Sequence, residues 1–189
     1  MNIDSNTKRC HWCNMKNPLY VNYHDNEWGV PVHDDHKLFE MLLLEGFQAG
    51  LSWECVLNKR EAFRKAFDDF DVNKVAEYDS TKMEALRLDK GIVRNKLKIS
   101  AVVLNAKIFK QIQTEFGTFD KYIWHFTNGK TIYECDKTTS PLSDQISTDL
   151  KKRGMKYVGS TIIYSYLQAI GIINSHEEGC AWYKKKIAG

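Results

Sequence analysis

A chain of 189 residues with 43% hydrophobic and 27% charged side chains, five Trp, nine Tyr and nine Phe has material for one domain or two small ones sharing a core, and this composition excludes disorder. A net charge of +3 suits a nucleic-acid partner without requiring one. No basic-then-apolar signal pattern opens the chain, and the longest uncharged run, Tyr157 to Ser175, carries Ser, Thr, Gln and Asn, so it reads as a buried helix; the expectation is a cytoplasmic protein with no membrane partner.

Apolar residues recur at helical spacing through most of the chain, interrupted only by Pro18, Pro31 and Pro141, which predicts an all-α fold. "DHKLFEMLLLEG" reads as a helix with Asp35 near its cap. "SWECVLNKREAFRKAF" reads as a second, capped by Ser52, with Val56, Leu57, Phe63 and Phe67 on one face. The corner between them, "EGFQAG", opens with Glu45 where the pattern predicts more core. An ionised carboxylate there costs several kcal/mol unless a cation or a hydrogen-bonding ligand compensates. "DVNKVAEY" and "DSTKMEALRL" follow as two short helices, and "RNKLKISAVVLNAKIFKQIQTEF" as the longest, with Ile99, Val102, Ala106 and Phe109 inward. "FDKYIWHF" adds a turn or two, and residues 127–142 are polar and turn-rich enough to be a loop.

A basic helix ending at Arg153 then meets the stretch "GMKYVG" and a new helix starting at Ser160 or Thr161, whose hydroxyls can cap it. Gly154 and Gly159 free the backbone, amides lie open at a helix start, and Lys151, Lys152, Arg153 and Lys156 surround them, which suits a phosphate. Taken alone, a plain antiparallel helical turn fits this stretch better than a DNA site.

Five cysteines, at positions 10, 13, 55, 135 and 180, form no secreted-scaffold pattern and predict reduced thiols or metal ligands. "CHWC" stands near one end and "HEEGC" near the other, where His176 and Cys180 share a face if helical. Cys10, His24, His176 and Cys180 would complete a closed tetrahedral zinc site, but Cys13, His11, His33 and His36 compete for it, and spacing leaves the choice open.

"NPLYVNYHDNEWGVPVHD", "LFEMLLLEGFQAGLSW", "KKRGMKYVGSTI" and "HEEGC" together resemble the 3-methyladenine DNA glycosylase I family, in order from Cys10 to about Tyr183. The resemblance implies an all-α, helix-hairpin-helix glycosylase-like bundle, one unit over residues 1–189 with the hairpin motif within 143–172. It implies a structural zinc on Cys10, His24, His176 and Cys180 joining the two chain ends, with Cys13 an extra thiol. It assigns a base pocket to Trp12, Tyr20, Tyr23, Trp28, Glu45 and Trp53, and it makes Gly154, Lys156, Tyr157, Gly159 and Ser160 the DNA-phosphate hairpin. Gln48, Gly50 and Leu51 would then fill the gap left by an extruded base, with Leu51 as the wedge, although "AGLS" also fits a tight connection between helices.

The implied reaction is hydrolytic release of 3-methyladenine from alkylated double-stranded DNA by a monomer that does not cut the strand. Methylation at N3 makes the ring cationic, so Trp53 and Trp12 would offer indole faces to it, Glu45 its carboxylate, and Tyr23 a further hydrogen bond. The leaving base is neutral, so strong acid catalysis is unnecessary and binding performs most of the work. The stretch "INSHEEG" places Asn174 and Ser175 where many relatives in the wider superfamily carry a catalytic Asp, and Glu177 and Glu178 are expected to be exposed. The competing expectations are a zinc-stapled module that binds alkylated DNA without hydrolysing it, and a zinc-stabilised protein-interaction domain.

Overall fold

Helix α2 (Asp35–Gln48) is the axis of the fold because its apolar residues cover nearly every face: Leu38, Phe39, Met41, Leu42, Leu43, Leu44 and Phe47 are all buried. The protein is described here from a computed structural model covering residues 7–184, in which ten α-helices pack around a single core and one pair of two-residue strands joins two distant segments; the ends of the 1–189 unit lie outside the described residues. Asp34 caps α2 by accepting the amides of His36 and Lys37. Asp35 reaches outward instead, accepting the amides of Phe119 and Asp120 at 2.9 and 2.8 Å and so fixing the start of α8 (Phe119–His125).

Helix α1 (Pro18–Asn26) was not expected from apolar spacing. Its start is nonetheless written in the chain: the Asn17 side chain accepts the Leu19 amide at 3.1 Å, and Pro18 occupies the first turn, where its missing N–H costs nothing. The single helix expected from Ser52 is two, α3 (Trp53–Leu57) and α4 (Arg60–Ala66). The break turns Arg60 inward to the carboxylates of Glu27 and Glu40 at 2.8 and 2.7 Å, and Val56, Leu57, Phe63 and Phe67 stay buried on both sides of it.

Helices α5 (Val72–Ala76) and α6 (Ser80–Leu88) carry aspartate caps at Asp71 and Asp79. Helix α7 (Lys96–Phe116) buries Ile99, Val102, Ala106 and Phe109 as its spacing predicts. The polar stretch 127–142 contains β1 (Ile132–Tyr133), which pairs in parallel with β2 (Ile173–Asn174) and so ties that loop to the segment leading into His176. Period-based reading cannot see a strand of two residues.

Helices α9 (Pro141–Lys152) and α10 (Ser160–Ala169) form the expected helix, turn, helix unit. Ser140 and Ser143 make a reciprocal cap at the start of α9, inside the stretch read as loop. After α10 the chain meets the 29–32 segment at very close quarters: a Cβ on Gly171, whose φ is +73°, would lie 2.2 Å from the carbonyl carbon of Val30. Only glycine fits, and the contact is sealed by Gly29 N to Gln168 O at 2.9 Å and Val32 N to Ile170 O at 3.0 Å. No helix among the described residues is long and apolar enough to cross a membrane.

Candidate active site

One loop and four helices converge on one cavity of about 230 Å³. The N-terminal loop brings Trp12; α1 brings Tyr20 and Tyr23 from successive turns, with Trp28 just beyond it; the last turn of α2 brings Glu45 and Gln48; α3 opens with Trp53; and α10 contributes Ser165 and Gln168. Each helical pair is spaced three apart, which puts both side chains on the same face. All six residues named for the pocket from sequence thus line a single space, and Gln48, named for the DNA side, lines it too. Ser165 and Gln168 were missed because nothing local marks them; they arrive only because Gly29 and Val32 pin the end of α10 beside α1. The rings brace one another, with centroids 4.6 Å apart for Trp12 and Trp28 and 5.0 Å for Tyr23 and Trp53.

Glu45 is the only carboxyl in this lining, and no cation faces it there. The side chain is 2% exposed, and its Oε2 has no hydrogen-bond partner. Burial alone pushes the carboxyl up to about 8, so near neutral pH the free protein holds Glu45 protonated, where sequence alone suggested an ionised group. Ionisation awaits a cation. The buried indole N–H of Trp53 is likewise unpartnered, so the cavity presents both an acceptor and a donor that water or a ligand must satisfy.

Behind the cavity, Cys10, His24, His176 and Cys180 bring their ligand atoms within 4.8 Å of one another, all four residues buried. Cys10 Sγ lies 3.5 Å from His176 Nδ1, and Cys180 Sγ lies 3.6 Å from both His24 Nε2 and His176 Nδ1. A tetrahedral zinc with Zn–S near 2.3 Å and Zn–N near 2.0 Å separates neighbouring S and N ligands by about 3.5 Å, so spacing and donor set fit such an ion. The far nitrogens are engaged, His24 Nδ1 with Asp25 Oδ1 at 2.8 Å and His176 Nε2 with the Trp28 carbonyl at 3.2 Å, which orients both rings. Burial pushes His176 down to about 4 and the Cys10 thiol up, so the imidazole is neutral and ready to ligate while the thiol must lose its proton to solvent as a metal binds.

Cys13 is buried outside the cluster, its Sγ 4.0 Å from the Tyr20 carbonyl. His11, His33 and His36 also lie outside it. His176 and Cys180 lie in the irregular segment after β2 rather than on a helix; the turn between them, not helical periodicity, brings them together. Glu177, expected to be exposed, is half-buried and accepts the His11 amide at 2.8 Å; Glu178 is exposed. Asn174 and Ser175 are buried and structurally engaged, Asn174 Nδ2 with Gly29 O at 3.4 Å and Ser175 Oγ accepting from Gln168 at 2.8 Å.

At the cavity rim, Gly50 adopts φ +78° and Leu51 is exposed, with its amide donating to Gln48 O at 2.6 Å. In the hairpin, Gly154 follows the C-cap Arg153, and Tyr157 adopts a left-handed φ of +55°, uncommon for a tyrosine. Lys156 is exposed, and its backbone is held on both sides by Asn105 of α7, N to Oδ1 at 2.9 Å and Nδ2 to O at 2.8 Å. Gly159 is the N-cap of α10 and supplies no side-chain acceptor. Ser160 does not cap the helix as expected; its hydroxyl is paired with Ser143 Oγ at 2.8 Å, so the first amides of α10 are left for an outside acceptor. Arg153 is committed to Glu115 and Asp149, leaving Lys151, Lys152 and Lys156 as the exposed cations of the turn.

A helical fold thus gathers aromatic rings around one buried acid in a single cavity, and carries a helix, turn, helix unit with exposed lysines. The family model described as methyladenine glycosylase matches residues 12–184, and the chain belongs to that family. It is similar to DNA-3-methyladenine glycosylase 1 of Escherichia coli (strain K12), 46% identical over 183 residues that cover 93% of this chain and 97% of that protein. A DNA-3-methyladenine glycosylase of Haemophilus influenzae (strain ATCC 51907 / DSM 11121 / KW20 / Rd) is 38% identical over 180 residues, covering 92% and 97%. Among solved structures, a crystal structure of 3-methyladenine DNA glycosylase I superposes with a TM-score of 0.88 at 43% identity, covering 92% of this chain and 98% of that one. A variant of such an enzyme crystallised in complex with 3-methyladenine gives 0.87 at 35% identity, covering 90% and 95%.

Proposed function

We propose that the protein is a base-excision repair glycosylase that hydrolyses the N-glycosidic bond of 3-methyladenine in alkylated double-stranded DNA, through the residues gathered around Glu45. The observation that carries this reading is the unpartnered Glu45 Oε2 in a cavity with no cation of its own. A methylated adenine still attached to its sugar brings the missing positive charge. As it enters, Glu45 gives up its proton and pairs with the ring, while Trp53 and Trp12 offer indole faces worth about 0.5–2 kcal/mol to a desolvated cation. Ordinary adenine has no such charge and leaves Glu45 neutral, so selectivity follows from electrostatic match.

Breaking the bond returns its electron pair to the base, which departs neutral; the sugar takes up the charge transiently and is quenched by water, which adds hydroxyl and releases a proton. Glu45 is then again without a cation, and its reprotonation weakens the hold on the product. No lysine lines the cavity, so no covalent link to the sugar forms and the strand is left intact. Leu51, with Gln48 and Gly50 at its base, fills the vacated stack, and the amides opening α10 hold a phosphate with Gly154, Lys156, Tyr157, Gly159 and Ser160 around it.

Zinc is the ion that suits Cys10, His24, His176 and Cys180: a closed two-thiolate, two-imidazole set leaves no open position, so its role is structural. Trp12 follows Cys10 by two residues, and the Trp28 carbonyl touches His176, so the cluster sets two walls of the cavity.

The test is release of free base from methylated duplex DNA by the parent, Glu45→Ala and His176→Ala proteins. The parent is expected to release 3-methyladenine, and both variants to be strongly impaired. Tight binding of alkylated duplex with no release by the parent would instead identify a non-catalytic binding module.

A further inference from the structure

Residues 90–114 hold six lysines and arginines and no acid, in a chain that carries 24 acids. Lys98 is the inward one: it is buried and its Nζ donates to the carbonyls of Phe47 and Ala49 at 2.8 and 2.5 Å, closing the end of α2 directly beneath the Gly50 and Leu51 corner. Seven residues further along the same helix, Asn105 grips the backbone of Lys156 from both sides. Helix α7 is thus fastened to the corner at one point and to the hairpin at another, about 10 Å apart along its axis.

Alongside the two fastenings α7 turns an unpartnered face outward. Leu97 is 69% exposed and Leu104 is 39% exposed; with Ser100, Ala101, Lys156 and Tyr157 they line an open groove of about 480 Å³. Arg94 and Lys96 stand exposed at its head. Two leucines on an exposed ridge have no core to serve, and cations at the rim of an acid-free stretch attract a polyanion.

We propose that this face of α7, Leu97, Ser100 and Leu104 with Arg94 and Lys96, is part of the DNA-binding surface and carries the sugar–phosphate backbone of the duplex between the hairpin and the corner; this rests on the glycosylase reading above. A duplex held at the hairpin and probed by Leu51 passes over α7, which is hydrogen-bonded to Phe47 and Ala49 just before the corner and to Lys156 within the hairpin. The 10 Å between fastenings corresponds to about three nucleotide steps at roughly 3.4 Å each. The leucines pack against deoxyribose, and the rim cations meet phosphates.

The experiment measures two affinities for each variant: for a fluorescent duplex carrying an abasic-site analogue, by anisotropy over a range of salt, and for free 3-methyladenine, by tryptophan fluorescence. Leu97→Glu and Ser100→Glu are each expected to weaken duplex binding about tenfold, and a joint Arg94→Ala, Lys96→Ala protein to lower the salt slope by about one to two. Affinity for the free base stays at the parent value in all of them, which also reports that the fold is intact. Thr138→Glu, the same charge change at an exposed site on the loop that carries β1, leaves both affinities unchanged. Unaltered duplex binding in Leu97→Glu and Ser100→Glu, alongside a loss in Lys156→Glu, would overturn the α7 surface and leave the glycosylase reading standing. No loss in Lys156→Glu either would remove the hairpin grip and this surface with it. A loss in Thr138→Glu as large as in Leu97→Glu would reduce the effect to net charge and also overturn the proposal.

Discussion

Glu45→Gln preserves the shape of the cavity wall and removes only the ability to ionise. In the folded protein, burial holds the carboxyl at about 8 against an ordinary value of 4.5, with no cation in the lining to offset it. Below the ordinary value both folded and unfolded chains keep the proton, and parent and variant are matched. As pH rises, the unfolded chain ionises first while the folded one keeps its proton until about 8, so the parent loses stability relative to the variant across that window. Each pH unit within it costs about 1.4 kcal/mol, which sums to about 4 kcal/mol between about pH 5 and about pH 9. For a chain of this size that is a relative shift of roughly 10 °C in melting temperature. Calorimetric melts of both proteins over that range would show the variant overtaking the parent. Melting curves that fell in parallel would refute the claim that Glu45 is buried without a charge partner, and with it the reason a cationic base is preferred.

Stripping the metal from the purified protein with a strong chelator is expected to abolish 3-methyladenine binding and lower the melting temperature, because Trp12 and Trp28 lose the cluster that fixes them; metal analysis alongside fluorescence titration checks this. Lys98→Met leaves the carbonyls of Phe47 and Ala49 without their donor, at a cost of about 2–4 kcal/mol by chemical denaturation. Leu51→Ala removes an exposed side chain and is expected to slow base release from duplex DNA while leaving stability and free-base affinity at parent values, as read by single-turnover kinetics and titration. Gly171→Ala forces a Cβ into the Val30 backbone and destabilises by about 3 kcal/mol or more, measured by urea unfolding.

Much of the site was legible in the chain because its residues announce themselves by being out of place. Glu45 breaks an apolar run and glycines bracket "GMKYVG" between two helical patterns, while the aromatic residues of the pocket were named by the family resemblance. Local chemistry also fixed most helix starts, since Asp71, Asp79 and Ser52 carry their caps with them. The helix α1 and the break before α4 escaped, the first because its apolar pattern is weak, the second because it answers to Glu27 and Glu40 rather than to its own neighbours.

What the sequence determined by itself is therefore whatever depends on residues within a turn or two of one another: helical periods, caps, and the types of side chain available for chemistry. Spacing left open which thiol joins the cluster, where the resemblance named Cys10 and the structure places it; the tertiary structure alone decided that Ser165 and Gln168 complete the cavity wall, and that Ser160 turns to Ser143 instead of capping α10. Those outcomes depend on contacts between distant parts of the chain, made where Gly171 lets α10 press against the 29–32 segment and where β2 delivers His176 to Cys10. Spacing along a chain cannot encode such a meeting, because it is the shared core that sets how far apart the two ends finally lie.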